Sequence, residues 1–495
     1  MRARLLLAAA ALAAFGASLV SGFHLDDYAI FDGPAHVSAA GWSTILAVRQ
    51  TRPLTYLSFW LNRSLGGADP LGYHALNLAL HVAAVLLAYE CLLRLVDRRA
   101  AWLAAAIFAV HPMQAEAVDY IWARAIVLSA VFVFASLLAW IDGRRWLAAA
   151  LFMPALLAKE ECAAFPLALW LLDAFLVAKA RRNAPGQDRS LAGAAPMRAR
   201  WAPLGVMFAL SLAAGLRTIY AAAVTPGAGA GAQAGITPWH YLLAQGTVVW
   251  RYLRLFAIPY GFTVDPEVRM PAAWLGIAAW LALIAATAAL WRWRPDIALW
   301  LSAALLLLLP SSSIFPAADL AADRRMYLAM LPLAAAAALM LARLRPRAIA
   351  PLVAVALAAV SIGRTKVWAS DESLWREAVR RAPDKVRPRI QLSRSVGTAE
   401  ALALLDEARR IAPDDPAVAA ETGRVLLAAG RPAEALAEFG RALALAPRDA
   451  DNYNNRGVAL EALRQNEAAR ADFQRALELD PGLNAARENL RKSAP

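Results

Sequence analysis

Along its first 365 residues the chain alternates long apolar blocks with short polar breaks, and beyond them the apolar positions fall at helical spacing. A helix that crosses a membrane needs about 20 mostly apolar residues. Eleven blocks approach or meet that length: 5–22, 72–95, 100–118, 124–141, 146–158, 162–178, 202–222, 272–291, 297–313, 326–342 and 348–364. A further apolar stretch, 238–258, is interrupted by Arg251 and Arg254 and reads as a re-entrant or interfacial helix. The expected fold is all-α. A polytopic helical membrane domain covers 1–365, and a second helical domain covers 366–495.

The second domain repeats itself. Gly423, Ala435, Phe439, Ala442 and Pro447 recur 34 residues later as Gly457, Ala469, Phe473, Ala476 and Pro481. This is the tetratricopeptide period. Small residues let the two helices of a repeat approach, the Phe fills the gap between them, and the Pro ends the second helix. Trp375, Ala378 and Pro383, then Leu405, Ala408 and Pro413, occupy the corresponding places at a spacing of 30 and mark degraded copies. A helix from Leu483 caps the array. Such an α-solenoid offers a concave surface for an extended peptide or partner protein, or acts as a spacer that only stabilises.

Composition supports the membrane reading. Hydrophobic residues make up 60 % and charged residues 18 % of the 495, and the mean hydropathy is +0.45. A globular protein in water carries about 25 % charge. Two cysteines exclude a disulfide scaffold. Residues 366–495 hold 21 Lys+Arg against 20 Asp+Glu, so the net charge of +13 sits almost wholly on the greasy part. That placement signals membrane topology and not nucleic-acid binding. Basic clusters stand at Arg2/Arg4, Arg98/Arg99, Arg144/Arg145, Lys179–Arg200, Arg292/Arg294 and Arg343/Arg345/Arg347. With 238–258 outside the count, all six fall on one side. The N-terminus and the linker 179–201 are then cytoplasmic, and the loop 23–71 and the repeat domain lie outside. The first block resembles a signal peptide, with small residues around Ala17–Ser21. Reading it as an uncleaved anchor keeps the parity.

Nearly all the other ionisable residues of the membrane half fall at outer helix ends or in outer loops: Asp26, Asp27, Arg52, His74, His111, Glu116, Arg124, Lys159, Glu160, Glu161, Asp323, Arg324 and Arg325. Charge near a membrane is expensive and marks function by default. Adjacent carboxylates such as Asp26-Asp27 can serve as a general base or hold a divalent ion, or simply cap a helix. His74, Asn77 and His81 share one helix face, as a polar packing stripe would. Arg324 and Arg325 lie where the positive-inside rule disfavours arginine, so an anionic lipid headgroup or lipid-linked phosphate is their natural partner. Arg324 is expected to grip it, with Arg325 turned about 100° away along a helix.

This order of motifs resembles the membrane O-mannosyltransferases that carry tetratricopeptide repeats, and their bacterial relatives, within the GT-C class of glycosyltransferases. Asp26-Asp27, Arg52-Pro53-Leu54 with Phe59 and Asn62, Tyr73-His74 to Asn77 and His81, His111-Pro112 to Glu116-Ala117-Val118, and Arg124 carry the resemblance first. Lys159-Glu160, Gly261-Phe262-Thr263-Val264-Asp265, Pro310-Ser311-Ser312, Asp323-Arg324 to Tyr327-Leu328, Trp368 and Leu374-Trp375 continue it. Asp323 stands where the family usually has Glu, Lys366 where it often has Asn, and the repeat array is short.

The resemblance implies a multi-pass protein, in bacteria of the inner membrane, that moves a mannose-like sugar from a polyprenyl phosphate to a hydroxyl. Ser or Thr of a protein, or a glycan, is the acceptor. Asp26 or Asp27 is the expected base. Arg324, Arg325, Lys159, Arg124 and Arg52 are expected at the donor phosphate, and Glu116, Glu160, His74 and His111 around the sugar or acceptor. No metal ligand set is expected and no cofactor is required, with a divalent cation left open. The absence of a nucleotide-binding Gly-rich loop agrees with a lipid-linked donor, and membrane lipid is the other expected partner. The competing class is a non-enzymatic membrane scaffold that recruits envelope partners through its repeats. A transporter would want ionisable groups near the midplane and an internal duplication, and neither is present.

Overall fold

The computed structural model describes residues 1–28, 30, 51–183, 197–224, 231, 235–317, 319–343 and 349–493. Most of the linker 179–201, part of the loop 23–71, and Arg345 and Arg347 lie outside the described residues. The chain forms two units, one of residues 1–264 and 268–370, the other of 265–267 and 371–495.

All eleven apolar blocks lie on helices. The first unit contains α1 (Arg2–Phe15), α2 (Pro53–Gly66), α3 (Pro70–Leu95), α4 (Arg98–Val110), α5 (Ala115–Asp119), α6 (Arg124–Ile141) and α7 (Arg145–Ala158). It continues with α8 (Phe165–Asn183), α9 (Met197–Val224), α10 (Pro238–Ala257), α11 (Ala273–Trp293), α12 (Pro295–Leu308), α13 (Tyr327–Leu341) and α14 (Ile349–Val367). Among the described residues seven helices are long and apolar enough to cross a membrane, or eight if Pro351–Val367 is counted with its continuation. Arg145–Ala158 and Pro295–Leu308 are apolar but shorter. The block 100–118 is not one helix. Proline disfavours the helical conformation in the residue before it, so α4 ends at Val110 and His111 is extended ahead of Pro112.

Local chemistry fixes the helix starts. The Asp69 carboxylate accepts from Leu71 N–H ahead of Pro70, and the Asp97 carboxylate accepts from Arg99 and Ala100 N–H. α13 is buried on nearly all sides, whereas α9 and α11 leave most of their apolar surface exposed, as helices facing lipid would.

Ion pairs distinguish the two ends of the bundle. At one end Arg4 bonds Glu90, Arg94 bonds Asp142, and Arg343 bonds Asp296. The starts of α3, α6 and α13 and the ends of α7 and α12 lie at the other end. α10 spans 20 residues, yet Tyr241, Gln245, Arg251 and Tyr252 all bond to the loop 311–323. It therefore lies along that second end of the bundle. It crosses α11 where Gly246 meets Gly276, and a Cβ on Gly246 would stand 2.9 Å from the Gly276 carbonyl oxygen.

The second unit stacks α15 (Asp371–Arg381), α16 (Arg387–Ser393), α17 (Thr398–Ile411), α18 (Pro416–Ala428), α19 (Pro432–Leu445), α20 (Ala450–Ala462), α21 (Asn466–Leu479) and α22 (Asn484–Lys492). The repeat glycines have a visible cause. A Cβ on Gly423 would lie 2.8 Å from the Phe439 ring, and one on Gly457 would lie 2.5 Å from the Phe473 ring. Asp415 and Asp449 cap α18 and α20. Arg456 clasps the Asp472 carboxylate with two bonds of 2.7 Å.

Candidate functional site

Beyond α1 the chain makes a 3₁₀ turn over Leu25–Tyr28, entered through Leu25 at φ 53°. A 3₁₀ turn has three residues per turn, so neighbouring side chains diverge by about a third of a circle. Asp27 turns inward and is fully buried, while Asp26 is exposed. The Asp27 carboxylate accepts from His24 N–H at 2.9 Å and from Trp122 N–H at 2.7 Å. Burial pushes it up to about 7 against those two bonds. Asp26 Oδ2 accepts from the Tyr120 hydroxyl at 2.9 Å, and Asp26 N–H donates to the same phenolic oxygen at 3.1 Å. Trp368 stacks on Tyr120 at 5.7 Å with an interplanar angle of 23°.

Asp26 lines a cavity of about 590 Å³ at the second end of the bundle. Arg52, Lys159, Glu160, Arg324 and Arg325 line it too, so that with Asp26 four segments of the chain meet there. Glu160 accepts both Arg52 Nε at 3.0 Å and Arg52 Nη2 at 2.6 Å. Lys159 lies 3.2 Å from Glu161, and burial pushes its ammonium below the usual lysine range. Arg324 pairs with Glu116 through its guanidinium, and its backbone N–H donates to the same carboxylate at 3.1 Å. Arg251 holds the adjacent Asp323 at 2.6 Å.

Arg325 differs from the other three cations. It donates to the Tyr241 hydroxyl at 3.4 Å, the Leu320 carbonyl at 3.2 Å and the Asp319 carbonyl at 2.8 Å. Those partners are uncharged, and among the described residues Arg325 makes no ion pair. Asp323–Met326 is a 3₁₀ turn and not the start of an α-helix. Both arginines therefore reach the cavity, and the one expected to face away is held by uncharged hydrogen-bond partners, with the Glu161 carboxylate acting on it without an ion pair.

Five expected site residues are not part of the cavity wall: Asp27, Glu116, Arg124, His74 and His111. The Arg124 guanidinium is fully buried and donates to Asn77 Oδ1 at 2.7 Å, to the Tyr73 carbonyl at 3.0 Å and to the Ser58 carbonyl at 3.3 Å. Its fork is occupied by protein groups, so it faces no ligand. His74 Nε2 bonds the Gly22 carbonyl at 3.2 Å. His111 Nε2 bonds the Phe256 carbonyl at 3.0 Å and its ring stacks on Phe256. Glu116 acts on the cavity only through Arg324. Sequence reasoning gave no role to Trp122, Glu161, Tyr241, Ser311, Ser313 or Asp319, which also line the cavity. For Glu161 a signal existed in the charged break Lys159-Glu160-Glu161. For Tyr241 none did, because it lies in a stretch separated from the arginines by two helices. Among the described residues no three of His, Cys, Asp and Glu gather in a metal-binding group.

Comparison with known proteins gives a partial but consistent picture. Residues 421–484 match the family model described as tetratricopeptide repeat. "Protein O-mannosyl-transferase TMTC3" of Mus musculus is 37 % identical over 150 residues, which is 27 % of this chain and 16 % of that protein. "Protein O-mannosyl-transferase Tmtc1" of Drosophila melanogaster is 45 % identical over 95 residues, 19 % of this chain and 11 % of that one. The matches thus span about a sixth or less of these relatives' own length. Among solved structures, "First TPR of Spaghetti (RPAP3) bound to HSP90 peptide SRMEEVD" aligns with 25 % of this chain and 90 % of its own, at 23 % identity and a TM-score of 0.20. With the repeat, the apolar helices and the sequence matches in agreement, the chain is similar to the transmembrane, tetratricopeptide-repeat-containing O-mannosyltransferases, the family its series of motifs resembles.

Proposed function

We propose that this chain is an integral-membrane glycosyltransferase that moves a mannose-like sugar from a polyprenyl-phosphate donor to an acceptor hydroxyl, of Ser or Thr in a protein, at the outer membrane face. One observation carries the reading above all: an exposed carboxylate, Asp26, shares a single cavity with Arg52, Lys159, Arg324 and Arg325. A base and a set of cations are what displacement of a phosphate by a hydroxyl needs. The relatives named as O-mannosyl-transferases support it. The basic residues at the opposite bundle end support the orientation, because lysine and arginine favour the cytoplasmic side. The repeats would then present the acceptor protein outside.

In this mechanism Asp26 takes the proton from the acceptor hydroxyl, as the Tyr120 hydroxyl holds the carboxylate in place. The acceptor oxygen forms a bond to the anomeric carbon, and the bond from that carbon to the phosphate oxygen breaks. The electron pair leaves with the lipid phosphate, whose growing charge Arg325 meets, with Arg324 and Lys159 beside it. Arg52 and Glu160, paired with each other, line the same cavity. No metal is needed for the proton and charge balance of this step.

The test is transfer from mannosyl polyprenyl phosphate to a Ser/Thr-rich peptide by the purified protein. Asp26→Asn should cut turnover by about 10²–10⁴, because an amide cannot accept the proton. Wild-type turnover by Asp26→Asn would remove the base and favour a scaffold that only recruits partners through its repeats.

A further inference from the structure

Trp122 lines the cavity with Asp26 and is held from several directions. Its backbone N–H is bound by the buried Asp27 carboxylate. Its indole stacks on Phe59, with ring centres 5.9 Å apart and planes 14° from parallel. Tyr56 meets it edge-on at 6.2 Å. Phe59 is itself buried, and the Arg124 guanidinium stands 4.6 Å from its ring centre. Arg124 in turn is locked by Asn77, Tyr73 and Ser58. Three layers thus fix the pose of one partly buried indole, and among the described residues its Nε1–H has no acceptor.

An indole, apolar over its body with one polar N–H, is matched by a ligand that is apolar on one face and polar at its rim. A pyranose ring meets both conditions: one face is a patch of C–H groups, and its rim carries hydroxyls. We propose that Trp122 is the platform on which the sugar of the lipid-linked donor lies, C–H face on the indole and one hydroxyl accepting from Nε1–H. The proposal rests on the glycosyl-transfer reading above and names the subsite that reading lacks. It also assigns work to two residues that do not line the cavity: Asp27 pins the platform's backbone, and Arg124 fixes the ring beneath it.

The test separates sugar from lipid phosphate. The full chain in nanodiscs is titrated with mannosyl polyprenyl phosphate and with bare polyprenyl phosphate of equal length. Trp122→Leu removes the ring but keeps an apolar filler, and Trp122→Phe keeps a ring. Trp122→Leu should weaken binding of the sugar-bearing lipid about three- to tenfold, the range of a single aromatic contact. It should leave the bare lipid unchanged, and Trp122→Phe, which keeps a ring but loses the Nε1–H donor, should fall between wild type and Trp122→Leu for the sugar-bearing lipid and match wild type for the bare one. Unchanged binding of the sugar-bearing lipid by Trp122→Leu overturns the platform. So does an equal loss for both lipids, which would mark Trp122 as a packing residue. Wild-type protein that binds neither lipid would refute the glycosyl-transfer reading itself, and the platform with it.

Discussion

Two adjacent arginines reach the same cavity, and their partners predict opposite phenotypes. Arg324 is neutralised by the buried Glu116, whereas Arg325 bonds only to a tyrosine hydroxyl and two carbonyls. A hydrogen bond to a charged group contributes about 1.5–3 kcal/mol, or roughly 10- to 150-fold in affinity at 1.4 kcal/mol per decade. Arg325→Ala should therefore weaken binding of polyprenyl phosphate by that factor. It should leave thermal stability near wild type, since Glu161, the carboxylate whose charge it feels, keeps Lys159 as its ion-pair partner. Arg324→Ala strands Glu116, which is 4 % exposed. Breaking a buried pair in this way costs about 3–5 kcal/mol, so that variant should melt well below wild type. Adding Glu116→Gln should restore much of the loss. The assay is lipid binding and thermal unfolding of the same purified variants in one detergent. If Arg325→Ala binds the lipid phosphate as wild type does, while Arg324→Ala loses binding at unchanged stability, the assignment of the two arginines is the wrong way round.

Asp27 should impose a pH dependence on stability. Its carboxyl titrates near 7 when folded and near 3.8 otherwise, so between those values the folded state holds the extra proton and stability falls as pH rises, by roughly 4 kcal/mol across the window. Asp27→Asn should flatten the curve of melting temperature against pH, and an unchanged slope would show that another group causes it. In the repeats, Gly457→Ala pushes a methyl group into the Phe473 ring and should destabilise that repeat by about 1–3 kcal/mol. Hydrogen exchange over 450–479 should report faster opening there, and exchange at the wild-type rate would contradict the packing argument. Topology reporters at residue 190 and after residue 495 should give opposite sides of the membrane, and matching signals would undo the outer placement of the cavity.

What the sequence discloses follows the range of the forces involved. The repeat unit was readable because its logic is periodic: Gly423 and Phe439 meet within one helix pair, and the same pair returns 34 residues on. The site was readable as a set, because charged residues at the ends of apolar blocks need no tertiary detail to stand out. Lys159, Glu160, Arg324 and Asp26 do share a cavity. Individual roles were not readable. Arg124 sits at the start of a helix as a phosphate ligand would, but Asn77, Tyr73 and Ser58 from two other helices consume its donors. The block 100–118 has the hydropathy of a span, yet one proline at 112 ends the helix after Val110.

The same limit applies to the two doublets, and there it explains the chemistry. Asp26-Asp27 and Arg324-Arg325 each sit on a 3₁₀ turn, which sends neighbours in different directions. In each doublet one member is spent on the protein. Asp27 binds two backbone N–H groups, and Arg324 binds Glu116. The other member makes no ion pair and is steadied by a tyrosine: Tyr120 on Asp26 and Tyr241 on Arg325. Arg52 with Glu160 and Lys159 with Glu161 cancel nearby. Of the cavity's acidic and basic groups, then, Asp26 and Arg325 combine exposure to the cavity with hydrogen bonds to uncharged partners alone. A neutral hydroxyl can hold a charged side chain in place without discharging it, whereas an ion pair must first be broken before either partner can take a proton or a phosphate. On that difference rests the proposed assignment of the base and the phosphate ligand to these two residues and not to their neighbours.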